Sequence, residues 1–359
     1  MINPVANAIS GTWTATIEAD QLVYTDTAGV NYSSASGSDV ASQNLTLAST
    51  QTANVTVSLA TDNPKSSNVI VSSSGTTRAE VLKFNVEVKD MNATFNSGSI
   101  EITETDTGTG DFTITAGELW DGSTLLASAA PSSTGATADI NWSNFSLPIA
   151  AGTTKTLSVK LVFSAVASNY APAGADKVQV TTGPVLSGID GNSNVVKAEG
   201  NTLKSEEFYP FLKAPVFALS SASLTASGST SSKVSDMGTA KIVFNVTALG
   251  GEIYLPMVGK SGAEIVVDVV KGSATSAPSS IAWTCSNVTE DSTTKTYRIS
   301  NGATATCEVN AVFTTSTAGY YEAKIAKIAW DTANTFAGKV SQTWGIDTLK
   351  TGLTYLSGN

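Results

Sequence analysis

Histidine is absent from the 359-residue sequence, and only 14% of the residues are charged. Without histidine, the Ser-His-Asp and Cys-His arrangements of nucleophilic catalysis are excluded. No pair of acidic residues stands out from the loop acids, so we expect no enzymatic activity. Lys and Arg number 20 against 30 Asp and Glu, which gives a net charge of −10. A chain of this charge cannot neutralise a phosphate backbone, which argues against nucleic-acid binding.

Long apolar runs are missing too, and none approaches the length of a transmembrane helix. Residues 1–10 lack the basic start and apolar middle of a signal peptide. Either an export signal has been removed or the protein stays inside the cell, and the composition and the cysteine pair favour export to the cell surface. The sequence holds only two cysteines, Cys285 and Cys307. They predict one structural disulfide, since two cysteines without histidine cannot complete a zinc site.

The sequence instead holds many short segments in which apolar and polar residues alternate. Ser and Thr make up about a quarter of the residues. The stretch 79–88 places Leu82, Phe84, Val86 and Val88 on one face, as a half-buried β-strand does. A second copy of it lies at 239–248, where Phe-Asn-Val recurs 160 positions later. Runs of this kind, separated by Gly, Ser, Thr, Asn and Asp, predict tandem immunoglobulin-like antiparallel β-sandwich domains.

Further matches divide the chain into repeats. The matched segments are 149–163 with 299–313, and 201–204 with 347–350. They predict an immunoglobulin-like repeat at 53–210 and another at 211–359, with the disulfide in the second. Leu157 occupies the place of Cys307 in the first repeat. The segment 205–215, with two prolines and three aromatic residues, is expected to be an extended joint whose aromatics pack between the domains.

Residues 1–52 resemble the end of a further repeat, because 11–17 is similar to 319–325. Three explanations stand at this point. The segment is part of a longer repeat array, or a strand that completes a neighbouring subunit by strand addition, or a chance similarity between Thr-rich strands. A Ser/Gly-rich tract at 33–43 is predicted to be a linker.

Two groups of oxygen-bearing side chains are candidate calcium sites. Asp190, Asn192 and Asn194 have the alternate spacing of a calcium loop, although Asn201 at the twelfth place excludes an EF-hand. Ordinary turn chemistry explains the same residues. The second group is acidic and surrounds a Gly-rich turn, where an exposed hairpin is the alternative. It comprises Glu101, Glu104, Asp106 and Asp111.

Glycosylation is the other modification that the sequence suggests. Asn-X-Ser/Thr acceptor sites include Asn141, Asn245 and Asn287. Asn245 is expected on the outward face of the strand at 239–248, and O-linked sugars on the Ser/Thr tracts are an alternative. Trp142 and Trp283 precede matching strands of the two repeats, so we expect them in the cores rather than at a ligand site.

The repeat motifs resemble those of large bacterial cell-surface proteins with tandem immunoglobulin-like domains, including surface-layer proteins. The resemblance is carried by Val57-Ser-Leu-Ala-Thr-Asp62, Val81-Leu-Lys-Phe-Asn-Val86, Gly152-Thr-Thr-Lys-Thr-Leu-Ser-Val159 and Leu353-Thr-Tyr-Leu356. It implies export, self-assembly into a lattice or filament, and frequent calcium or glycan decoration. The alternative is an adhesin or carbohydrate-binding module that contacts surface glycans through loop-borne Trp120 or Trp344.

Overall fold

The computed structural model describes residues 52–105, 112–133, 136–167, 176–228, 236–262 and 264–358, with the backbone of four strands before them. All regular structure in this described part is β-strand, as the alternating sequence pattern predicts. Within the same part, no helix is long and apolar enough to cross a membrane. The predicted all-β fold is therefore confirmed.

The first sandwich packs a five-stranded sheet against a six-stranded sheet. Its strands are β5 (Asn54–Leu59), β6 (Ser67–Ile70), β7 (Thr77–Lys89), β8 (Ala93–Thr105), β9 (Ile114–Asp121), β10 (Thr124–Ala129), β11 (Thr137–Ile149), β12 (Thr153–Phe163), β13 (Lys177–Asp190), β14 (Val195–Glu199) and β15 (Phe208–Phe211). The strand orders are β10-β9-β12-β7-β5 and β11-β8-β13-β15-β6, with β14 paired to β13. Apolar side chains from both sheets form one core.

The second sandwich repeats this plan with more divided sheets. Its strands are β16 (Ala214–Ser227), β17 (Met237–Leu249), β18 (Ile253–Pro256), β19 (Ile265–Lys271), β20 (Ala274–Ser276), β21 (Ser280–Ser286), β22 (Thr289–Asp291), β23 (Thr296–Ile299), β24 (Thr304–Thr314), β25 (Gly319–Trp330), β26 (Val340–Gln342) and β27 (Thr354–Leu356). The sheet orders are β16-β17-β24-β21, β18-β23-β22 and β20-β19-β25-β26, with β27 paired to β25. A second core lies between them.

The register of the central strands reproduces the repeat found in the sequence. Phe84 of β7 lies opposite Leu157 of β12, and Phe244 of β17 lies opposite Cys307 of β24. Cys307 is also opposite Cys285 of β21, and their Sγ atoms are bonded at 2.06 Å. Both cysteines are buried. The second sandwich therefore has a covalent link where the first has a leucine contact.

Trp142 and Trp283 are both buried, as expected, but they belong to different layers. Trp142 lies on β11 of the six-stranded sheet, and its Nε1 donates across the core to the Gly117 carbonyl at 2.8 Å. Trp283 lies on β21 of the four-stranded sheet and donates to the Pro256 carbonyl at 2.8 Å. Each indole thus donates a hydrogen bond to a backbone carbonyl, but the two lie on non-equivalent sheets of their sandwiches. The expected equivalence of the two positions is therefore wrong.

Other differences concern short strands. The sequence pattern did not indicate β6 or β14. Before residue 52, the backbone of β1 (Thr12–Ile17) pairs with β4 (Val40–Thr46), and β2 (Val23–Thr25) pairs with β3 (Asn31–Ser33). The end of the tract expected to be a linker thus belongs to β4. The resemblance of residues 1–52 to the end of a repeat stays a prediction.

Candidate functional site

A network of polar and aromatic contacts lies between the two sandwiches. We call this region the joint; it comprises residues 66–71, 207–215 and 340–346. Its centre is β15, which pairs in parallel with β6 from Phe208 to Phe211. This parallel pair departs from the predicted antiparallel architecture. Pro210 is tolerated inside β15 because β13 pairs with β15 at Phe208 alone.

Strand β15 serves both cores, because successive side chains of a strand point to opposite faces. Phe208 belongs to the core of the first sandwich, whereas Tyr209 and Phe211 belong to the core of the second. The aromatics of the predicted extended joint thus pack between the domains as expected, and they do so from the strand β15.

Trp344 covers β15 from the second sandwich. Its ring stacks on Tyr209 with centroids 3.8 Å apart and an angle of 13°, and it lies parallel to Phe211 at 6.4 Å. Its Nε1 donates to Asn68 Oδ1 at 2.7 Å, which joins the first sandwich to the second. The interaction spans 276 residues of sequence. Trp344 therefore holds the joint together, although the sequence suggested it as a glycan-binding residue.

A buried glutamine completes the same network. Gln342 Oε1 accepts from Trp330 Nε1 at 2.9 Å and from Asn68 Nδ2 at 3.1 Å. Its Nε2 donates to the Trp344 carbonyl at 2.9 Å, while Asn68 Nδ2 also donates to the Pro215 carbonyl at 2.9 Å. Each nitrogen and oxygen of the two amide side chains thus makes at least one hydrogen bond. A hydrogen-bonded network of this kind favours one orientation of the two sandwiches.

Charged groups border the joint at its exposed side. Lys177 Nζ donates to Glu207 Oε1, and the Tyr209 hydroxyl donates to Glu207 Oε2 at 2.6 Å. Burial favours a raised pKa for Glu207, but these two hydrogen bonds outweigh it and lower the pKa. Burial, and then the bond to the Glu207 carboxylate, raises the pKa of Tyr209. The carboxylate is therefore charged and the phenol neutral at physiological pH.

The first candidate calcium group forms the turn between β13 and β14. Asp190 Oδ1 accepts from the backbone N–H groups of Asn192 and Asn194, both at 2.9 Å. Oδ2 accepts from Asn194 Nδ2 at 3.1 Å and from the N–H of Ala53 at 3.2 Å. Ser193 has a φ of 65°, as tight turns require. Turn chemistry therefore accounts for this carboxylate without a cation, and calcium binding stays a prediction.

These contacts give Asp190 a role in acid stability. Its burial favours a raised pKa, but the bonds from Asn194, Asn192 and Ala53 outweigh it and lower the pKa. Because the folded-state pKa is lowered, the stabilisation is present above the unfolded value of about 3.9 and is lost as the pH falls through the folded value. We expect Asp190→Asn to lower the free energy of unfolding by about 1–3 kcal/mol at pH 7.

Urea unfolding of both proteins between pH 7 and pH 2.5 measures this effect. The difference between wild type and Asp190→Asn should shrink below about pH 4. If the difference in the free energy of unfolding stays constant over this pH range, the charge of Asp190 does not contribute to stability.

The second candidate calcium group is only partly described. Glu101 Oε1 accepts from the hydroxyls of Thr181 and Thr182 at 3.0 and 3.1 Å. Glu104 lies near the end of β8, while Asp106 and Asp111 lie outside the described residues. Within the described chain, no group of three or more acidic or cysteine side chains has a metal-binding arrangement. Calcium at this turn stays a prediction.

Trp120 lies on strand β9, not on a loop as expected. Its Nε1 donates to Glu118 Oε2 at 3.0 Å, and the Lys160 ammonium lies 4.1 Å from its ring centroid. Arg78 Nε donates to the buried Glu118 carboxylate at 3.0 Å. One face of the indole is thus covered by Lys160, which leaves less of the ring for stacking on a sugar.

The candidate glycosylation sites differ in exposure. Asn141 on β11 and Asn287 in the turn after β21 are exposed. Asn245 on β17 is half-buried, and its Oδ1 accepts from the Thr306 hydroxyl at 3.1 Å. Glycosylation of these sites stays a prediction, and the geometry favours Asn141 and Asn287.

One hydrogen bond of the second sandwich is of a type that immunoglobulin-like domains share, and the sequence pattern did not predict it. Tyr321 lies near the start of β25, and its hydroxyl donates to the Thr317 carbonyl at 2.7 Å. A tyrosine that bonds back to the backbone a few residues upstream, at the corner between two strands, is typical of immunoglobulin-like sandwiches. The Gly319-Tyr-Tyr321 sequence at a strand start could have suggested it.

Comparisons with known proteins give no family. No family model and no curated protein matches the sequence. A solved structure named BspA_C_mut is similar over 84% of this chain and 97% of its own, with 8% identity and a TM-score of 0.20. The secreted serine protease VesC from Vibrio cholerae is similar over 83% of this chain and 51% of its own, with 9% identity and a TM-score of 0.17. Similarities this weak support no conclusion about function.

Proposed function

We propose that this protein is a non-enzymatic, extracellular structural protein that assembles with copies of itself into a surface layer or filament. The observation that carries the proposal is the edge strand β16, which has 14 residues and ends the four-stranded sheet. Residues 214–227 include no charged side chain. Edge strands of monomeric proteins are usually short or protected by charges, since an open edge pairs with other strands.

Three further features support this proposal. The joint holds the two sandwiches in one orientation, as a subunit of a regular assembly requires. The disulfide Cys285–Cys307 suits an oxidising compartment such as the cell exterior. The low content of charged residues reduces the repulsion that would oppose packing of copies side by side.

Electron microscopy of the purified protein, with and without calcium, tests the proposal. We expect ordered sheets or filaments. A particle that stays monomeric at all protein, salt and calcium concentrations would contradict it. We expect Ala218→Lys, which places a charge at the exposed edge, to impair lateral assembly. Asn310→Lys is the matched control, because Asn310 is exposed on the interior strand β24 of the same sheet.

The alternative, an adhesin or carbohydrate-binding module, has less support because Trp120 and Trp344 are both engaged in contacts within the protein. Binding on a glycan array that Trp120→Ala abolishes would favour this alternative. The same array also tests whether cell-wall or surface glycans are partners.

A further inference from the structure

Strand β27 is the repeat counterpart of β15, the strand at the centre of the joint. In the first sandwich, Ser205 N donates to the Val180 carbonyl at 3.0 Å, and Val180 N donates to Ser205 Oγ at 2.9 Å. In the second, Thr351 N donates to the Ala323 carbonyl at 2.9 Å, and Ala323 N donates to Thr351 Oγ1 at 3.0 Å. The two segments thus correspond at an offset of 146 residues.

The strands that follow keep this correspondence. Phe208 of β15 pairs with Val178 of β13, and Thr354 of β27 pairs with Tyr321 of β25. One residue further along, Tyr209 therefore corresponds to Tyr355.

The environments of the two tyrosines differ. Tyr209 is 8% exposed because Trp344 of the next sandwich covers it. Tyr355 is 53% exposed and meets Tyr320 edge-on, with ring centroids 5.4 Å apart. The second sandwich thus displays the tyrosine that, in the first sandwich, docks against a following domain.

The neighbours of Tyr355 make this surface apolar. We call Tyr320, Leu353 and Tyr355 the outer face; they are 62%, 66% and 53% exposed. By the same correspondence, Tyr320 and Leu353 occupy the positions of Lys177 and Glu207, the ion pair that borders the joint. Two exposed apolar side chains thus take the place of an ion pair. A single exposed apolar residue needs no explanation, but an exposed apolar group of this kind is typical of a contact surface.

The outer face lies at the end of the second sandwich that is remote from the joint. Strand β25 begins at this face and ends at Trp330, whose ring lies 5.1 Å from that of Phe211 in the joint. Ten residues of strand separate Tyr320 from Trp330, about 33 Å.

A matching apolar pair lies at the opposite end of the first sandwich. Ile189 and Val195 pair across the β13–β14 hairpin and are 46% and 74% exposed. Strand β14 corresponds in repeat order to β26, which precedes the Trp344 loop that receives Tyr209. The hairpin therefore belongs to the end of the first sandwich that corresponds to the receiving end of the second.

We propose that the outer face docks against the Ile189–Val195 hairpin of a second copy of this chain, which joins one end of a molecule to the opposite end of the next. The proposal rests on the proposed function and specifies its contact. The two surfaces differ, so the contact is head-to-tail and its repetition gives a filament or one direction of a lattice.

Cysteine cross-linking tests the contact on the full chain. The native cysteines are buried and bonded to each other, so they leave new thiols free to report proximity. Under mild oxidation, we expect the Tyr355→Cys/Val195→Cys variant to give a ladder of dimers, trimers and longer species on non-reducing gels. Each single variant should give dimers at most. Equal dimer formation by Tyr355→Cys alone and by the double variant would overturn the head-to-tail arrangement.

Sedimentation velocity provides the second measurement. We expect Tyr355→Lys to weaken end-to-end association at least tenfold, whereas Val258→Lys should leave it unchanged, because Val258 is 50% exposed and belongs to neither of the two proposed surfaces. If wild type assembles but the double variant forms no ladder and Tyr355→Lys assembles normally, this contact is wrong while the proposed function stands. If wild type never assembles, the proposed function itself fails.

Discussion

Replacing both Cys285 and Cys307 by alanine is expected to lower the free energy of unfolding of the second sandwich by about 3 kcal/mol. The two cysteines are 22 residues apart in sequence, and closing a loop of this size restricts the unfolded chain by about that amount. For a domain of about 150 residues, the expected fall in melting temperature is about 6–12 °C. Calorimetry of the variant, and of wild type with and without a reductant, measures it.

A second variant separates the cross-link from packing. Cys285→Ala/Cys307→Leu places at 307 the leucine that the first sandwich has at 157, so it restores volume opposite Phe244 without a covalent bond. We expect it to recover less than half of the loss. Full recovery would show that the bond stabilises the sandwich by filling space, and an unchanged melting temperature in reductant would contradict the prediction altogether.

Trp344→Ala is expected to lower the free energy of unfolding by about 3 kcal/mol and to free the two sandwiches to move relative to each other. The variant loses the stack on Tyr209 and the bond to Asn68, and large-to-small changes of this kind cost about 3–5 kcal/mol when the side chain is fully buried. Trp344 is only partly buried, which places the expected value at the lower end. Small-angle X-ray scattering should show a broader distribution of interatomic distances.

Two controls accompany this experiment. Trp344→Phe keeps an aromatic ring on Tyr209 but loses the N–H donor, so it should cost about 1 kcal/mol and leave the scattering profile unchanged. Trp120→Ala removes a tryptophan outside the joint and should not alter the profile either. A wild-type scattering profile for Trp344→Ala would mean that the remaining joint contacts suffice to hold the orientation.

Most of the fold could be predicted from the sequence, because alternation of apolar residues is a local property. Strands β7 and β17 lie within two residues of the predicted bounds, and the predicted equivalence of Leu157 and Cys307 agrees with their pairing opposite Phe84 and Phe244. The short strands β6 and β14 were not predicted, since four or five residues give too few alternations to distinguish a strand from a loop.

The contacts of the joint could be predicted only in outline. The aromatics of 205–215 indicated packing, but nothing local to Trp344 or Asn68 shows that they meet across 276 positions. The Asp190 turn shows a different limit of prediction from sequence. Oxygen side chains at alternate positions suit both a cation and backbone N–H donors, and only the folded geometry shows how Asp190 is used. Likewise, the place of Trp142 and Trp283 before similar strands did not reveal which sheet holds each one.

The alternation of β15 has a consequence for how such chains can change in length. Phe208 faces one core while Tyr209 and Phe211 face the other. Inserting or deleting a single residue here would turn every later side chain of the strand to the opposite face. It would direct aromatic rings away from the spaces that hold them. Loops can gain residues at little cost in free energy. The four residues of β15 cannot gain or lose one, because each must keep its side chain on the face that points to its own core.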